Sequence, residues 1–86
     1  MNMKEQLKEI IKNNVELEGQ EFKIEDATAL KEIGVNSINF IKIIVEAENT
    51  FNIHFLDDEI NFEDESYEMF GSFAAYIEEK VEKENR

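Results

Sequence analysis

The sequence has no cysteine, no proline, only three glycines, one histidine and few bases. Without cysteine there is no disulfide framework, no thiol nucleophile and no thiolate metal site, and a reducing compartment suits the chain. The scattered glycines exclude a glycine-rich phosphate loop. A hydrolytic triad needs a base beside its nucleophile, and His54 lies beyond the far end of the helix that Ser37 opens. It reads as a surface connector residue. No apolar run is long enough to span a membrane, and the charged start MNMKEQLKEIIKNN is unlike a signal sequence, so cytoplasmic residence is expected. Nine bases against twenty-one acids give a net charge of −12, which repels nucleic acid phosphates and anionic lipid. A basic protein surface is the better partner, although such acidity also serves solubility alone.

What is present points to helices. With 86 residues, no internal repeat and no linker, the chain is expected to form one domain, residues 1–86, with a modest core. Met3, Leu7, Ile10, Ile11 and Val15 recur at helical spacing, with Lys4, Lys8 and Lys12 among Glu5 and Glu9 on another face, which predicts an amphipathic first helix. From Glu16 to Val35 the periodicity weakens around Gly19. This predicts a long ordered loop with a helical turn near Thr28 to Glu32, held down by Phe22, Leu30 and Ile33. After Phe51, the stretch Asn52 to Phe55 alternates but has no partner strand, so it reads as an extended connector. Asp57, Asp58 and Glu59 supply charge for the start of a short third helix with Ile60 and Phe62 inward. The last helix should run from Ser66 or Tyr67 to about Lys83, with Phe70, Phe73, Ile77 and Val81 buried and Ala74 beside them. Gly71 inside it is tolerable where another backbone passes close by. The fold class predicted is all-α, a small four-helix bundle with a long first loop and a short third helix.

Chemistry concentrates in GVNSINFIKIIVEAENTF, residues 34–51. Asn39, Lys42, Glu46 and Asn49 fall on one narrow arc at ~100° per residue, so the stretch is a helix and other elements must pack around it. The inner face runs through Phe40, Ile43, Ile44, Ala47 and Phe51. A second lane runs Ile38, Ile41, Val45, Glu48. It is either a partly exposed docking surface beside Ser37 or further core from which Glu48 escapes at the helix end. Asn36 or Ser37 caps the helix. If Ser37 is not merely a cap, a hydroxyl at the positive end of a helix is positioned to carry an attached phosphate, which the free amides and the dipole favour. Asp57, Glu59, Asn61 and Glu63 alternate like calcium ligands, but Phe62 occupies the position that needs glycine, so no metal site is expected. Nothing points to a catalytic site, and an enzyme is not expected.

The stretch LKEIGVNSINFIKIIVEAENTFNIHF resembles the acyl and peptidyl carrier proteins, with their glycine, a variable residue, Asp-Ser-Leu and an apolar helix ending in Glu and Phe. YEMFGSFAAYIEEKV is similar to their last helix, with Tyr76 and Ile77 as its Tyr-Ile pair. With the first helix, the resemblance covers nearly the whole chain. It implies a phosphopantetheine arm attached to Ser37, holding an acyl, aminoacyl or related group as a thioester for delivery to partner enzymes. The implied partners are a phosphopantetheinyl transferase and loading and condensing enzymes with basic docking surfaces, met by a monomer. Asn36, Ile38, Ile41, Lys42, Val45 and Glu48 would form the recognition surface, with the acids after Phe55. Asn36 stands in place of the family's aspartate, Ile38 of its leucine, Asn39 of a frequent aspartate and Lys42 of the glutamate usual in fatty acid synthesis. The segment between Phe55 and Tyr67 is also slightly longer. These departures imply dedicated partners in a specialised polyketide, nonribosomal peptide or cell-wall pathway. The alternative is an unmodified acidic helical module in which Ser37 only caps and the lane binds a protein.

Overall fold

The computed structural model describes residues 2–15 and 23–84. Helix α1 spans Met3–Asn14 and starts where the Asn2 side chain accepts the Glu5 amide at 2.9 Å. Leu7, Ile10 and Ile11 are buried, with Met3 and Val15 packed at the edge, as the spacing requires. Of the loop residues expected to matter, Leu17, Gly19 and Phe22 lie outside the described residues. The loop's helical turn is a 3-10 turn at Leu30–Ile33, two residues later than expected at its start, and Leu30 and Ile33 are buried. Backbone bonds tie this loop to the last helix: the Leu30 amide donates to Glu68 O at 3.0 Å and the Phe70 amide to Thr28 O at 2.9 Å.

Helix α2 spans Ser37–Phe51 and α3 spans Phe70–Glu84. Gly71, in the first turn of α3, donates its amide to Asp26 O at 2.9 Å, and a Cβ there would stand 3.0 Å from that oxygen. The close backbone passage is what keeps this position glycine. Phe70, Phe73, Ala74 and Ile77 are buried and Val81 is half-buried, which matches the expected stripe. The Phe40 ring anchors the core, with its centroid 4.8 Å from Tyr67, 5.0 Å from Phe62 and 5.8 Å from Phe73.

The described residues are all-helical, with three α-helices rather than four. In place of the expected short third helix stand two 3-10 turns, Asp57–Glu59 and Glu65–Tyr67, and α3 begins three residues later than Tyr67. Local side chains compete with the helical ladder in this segment. Asn61 Oδ1 accepts the Glu63 amide at 3.1 Å and Asp64 Oδ1 accepts the Ser66 amide at 2.9 Å. Seven acids and no base between Asp57 and Glu68 leave no i,i+4 ion pair to offset this. Asn52 reverses the chain in a left-handed conformation, and the connector that follows it, residues 53–56, is neither helix nor paired strand, with Ile53 and Phe55 buried and His54 exposed.

A polar network holds this segment down. Lys80 Nζ lies 2.8 Å from Glu59 Oε2 and donates to His54 O at 2.9 Å, while the Tyr76 hydroxyl donates to the same Glu59 carboxylate. The Tyr67 hydroxyl donates to Glu59 O and the Leu56 amide to Glu59 Oε1. Burial alone would raise the Glu59 pKa. The Lys80 ammonium, the Tyr76 hydroxyl and the Leu56 amide outweigh it and hold the carboxyl down to about 2. Burial first, and then the Glu59 charge, push the Tyr67 hydroxyl up to about 12. A carboxyl with a depressed folded pKa stabilises fully above its unfolded value and loses that contribution as pH falls toward the folded one. The stability gap between wild type and Glu59→Gln should therefore narrow as pH falls from 4.5 to about 2, measured by urea titration at each pH. A gap that stays constant across this window would rule the ion pair out as a source of stability. Among the described residues, no helix is long and apolar enough to cross a membrane.

Candidate functional site

The start of α2 is built by three residues with separate tasks. Gly34 ends the 3-10 turn with φ 93°, a left-handed conformation, and its amide donates back to Leu30 O and Lys31 O. A side chain there would cost roughly 1–2 kcal/mol. Asn36 is extended and is the N-cap, its Oδ1 accepting the Ile38 and Asn39 amides at 2.9 Å each. Asn39 closes the box: its Oδ1 accepts the Asn36 amide at 2.6 Å and its Nδ2 donates to Gly34 O at 2.8 Å. An aspartate at position 39 could not make the second bond, which accounts for the amide there.

Ser37, the first helical residue, is therefore not the cap. Its side chain is exposed, and its hydroxyl makes no hydrogen bond among the described residues. The expectation that several free amides would face an attached phosphate needs correction, because Asn36 already uses those of Ile38 and Asn39. The helix dipole, worth about half a positive charge, remains. A phosphate ester on this hydroxyl would meet no buried group and displace no bond. The site fits such a modification.

The lane expected on α2 is real and in solvent: Ile38 is 73% exposed, Ile41 47% and Val45 48%, while Phe40, Ile43, Ile44 and Ala47 are buried and Phe51 is half-buried. The reading of this lane as core is thereby excluded. Lys42 is exposed and makes no ion pair among the described residues. Glu48, expected to face a partner, turns inward along the chain. Its Oε2 accepts the Phe55 amide at 2.9 Å and lies 3.4 Å from His54 Nδ1. Its task is to anchor the connector, which a lane-based reading missed because the partner lies beyond a chain reversal at Asn52, φ 55°. Glu59 is likewise committed, to Lys80 and Tyr76.

Ser37 and His54 do not come together. The 15 residues of α2 span ~22 Å between them. Among the described residues no three acidic or histidine side chains converge as they would around a metal ion. A family model described as the phosphopantetheine attachment site matches residues 5–77, from α1 to about the middle of α3. No curated protein matches the sequence.

Proposed function

Because the chain belongs to the phosphopantetheine attachment-site family, whose members bear that group covalently, we propose that Ser37 is the attachment point. The observation that carries this reading is the separation of roles at the mouth of α2. Asn36 caps, so Ser37 is left with an unengaged, solvent-facing hydroxyl. When bound, the arm would supply a thiol that holds an acyl or aminoacyl cargo as a thioester. Among the described residues none hydrogen-bonds the Ser37 hydroxyl, so as its oxygen bonds to the phosphorus of coenzyme A and adenosine 3′,5′-bisphosphate leaves, the hydroxyl proton would pass to a base of the transferase. The protein then acts as a carrier, raising the local concentration of a tethered substrate at successive enzymes without performing chemistry.

The exposed lane of Ile38, Ile41 and Val45 serves as the recognition surface, with Asn36 and Lys42 at its margin. The low acidity of α2 supports partners from a specialised polyketide, nonribosomal peptide or cell-wall pathway. Failure to replace a carrier of fatty acid synthesis in a complementation assay is the expected result, and growth would count against that assignment. The attachment itself is tested by incubating the protein with coenzyme A and a phosphopantetheinyl transferase. The intact mass should rise by one phosphopantetheinyl group, and peptide mapping should locate it on Ser37. No gain with several transferases, or a gain mapped elsewhere, would overturn the reading.

A further inference from the structure

One hydrogen bond ties the mouth of α2 to the chain that leads into it. Val35 is buried and its amide donates to Leu30 O at 3.1 Å, so the backbone is fixed on the core up to that residue. The bonds of Asn36 all run forward into the helix. Its Oδ1 accepts the Ile38 and Asn39 amides, its carbonyl accepts the Phe40 amide at 2.9 Å, and its own amide donates to Asn39 Oδ1. Among the described residues, only Asn39 Nδ2, donating to Gly34 O at 2.8 Å, reaches from α2 back across this turn. Ser37 lies between the two anchors with an exposed, unengaged side chain, and as the first helical residue its amide has no acceptor within the helix. Stability does not call for the carboxamide at position 39. Aspartate there would keep the bond to the Asn36 amide, and its charge would suit the helix dipole.

Resting on the carrier reading above, we propose that Asn39 is a positioning residue for phosphopantetheine transfer: its carboxamide, bridging Gly34 O and the Asn36 amide, fixes where α2 presents the Ser37 hydroxyl. In the transfer, the Ser37 oxygen bonds to the phosphorus of coenzyme A. Adenosine 3′,5′-bisphosphate leaves with the electron pair of the broken bond, and the hydroxyl proton goes to a base of the transferase. Attack of this kind needs the oxygen aligned with the leaving group, and a misplacement of about 1 Å can cost ~100-fold in rate. The body of α2 is held in the core by Phe40, Ile43, Ile44 and Ala47, so loss of the bridge frees the mouth and leaves the helix standing. Gly34 is then the hinge, since its backbone has the most freedom once its carbonyl is released. Asparagine offers an acceptor and a donor at this length, whereas aspartate keeps only the acceptor and alanine neither.

The test is single-turnover transfer from coenzyme A, with a phosphopantetheinyl transferase in excess, to wild type, Asn39→Asp, Asn39→Ala and Val81→Ala. Thermal melts rank their stability, and rates are read well below the lowest midpoint. Val81 is half-buried on α3 and reports what lost stability does by itself. The maximal rate should fall ~3-fold in Asn39→Asp and ~10-fold in Asn39→Ala, with the half-saturating transferase concentration for Asn39→Ala within ~2-fold of wild type. Both falls should persist at ~0.5 M salt, where the added charge of Asn39→Asp is screened. Val81→Ala should keep the wild-type rate. Amide exchange read by NMR should quicken at Asn36 in Asn39→Ala and stay unchanged at Ile44. Wild-type maximal rates in both Asn39 variants, an equal loss in Val81→Ala, or losses that salt abolishes would overturn the proposal while leaving attachment at Ser37 standing. Absence of transfer to wild type with several transferases would instead remove the carrier reading and this one with it.

Discussion

Ser37→Ala should abolish phosphopantetheine transfer completely, with no detectable mass gain under conditions that convert the wild type to a single modified species. The loss is all-or-none because no other hydroxyl can substitute. Thr28 and Thr50 are the nearest in sequence, and Thr50 lies at the opposite end of α2. Thr28 Oγ1 is engaged by the Glu25 amide at 2.8 Å. The fold should be indifferent to the same change. Ser37 is exposed and makes no hydrogen bond among the described residues, so its truncation falls among surface substitutions, within about 0.5 kcal/mol. Asn36→Ala makes the contrast: it removes the acceptor for two amides and should cost about 1 kcal/mol. Loss of transfer accompanied by an unfolded spectrum in Ser37→Ala would refute this division of roles.

Phe40→Ala is the second large effect. The ring is 1% exposed and sits among Tyr67, Phe62 and Phe73, which come from three different parts of the chain. Truncation would remove apolar contact and leave a cavity bounded by rings that cannot all move inward, at about 3–5 kcal/mol. A domain of 86 residues lies at the low end of stability, where ~5 kcal/mol is a whole domain's worth. The urea midpoint should fall steeply, and transfer to Ser37 should fall with it, since α2 presents that hydroxyl. Phe40→Leu, which keeps most of the volume, should retain a cooperative transition. If Phe40→Ala unfolds at nearly the wild-type midpoint, the aromatic cluster does not hold α2 in place.

The inner face of α2 was legible in the sequence because 3.6-residue periodicity gathers Phe40, Ile43, Ile44 and Ala47, whereas the lane of Ile38, Ile41 and Val45 was open between solvent and core, and only the packing of the other elements leaves it exposed. The choice between Asn36 and Ser37 as cap was not legible. Both residue types cap well, and only the extended backbone at Asn36 decides. The role of Asn39 could have been suspected from its place three residues after a capping residue, the capping-box spacing. Glu48 and Glu59 were assigned to partners because their own partners, the Phe55 amide and Lys80, are set by chain reversals that periodicity does not encode. The expected third helix failed for a local reason. Its acids resembled a helix start, but Asn61 and Asp64 spend their side chains on nearby amides.

The Asn39 amide, bonded at once to Gly34 O and the Asn36 amide, has an implication for how cargo is handled. It makes the platform under Ser37 a closed ring of main-chain and side-chain bonds to which the hydroxyl contributes nothing. Loading and unloading would then leave the same scaffold behind, and an enzyme that must tell an empty carrier from a charged one would have to sense the tether and its burden directly, because the mount itself gives no signal.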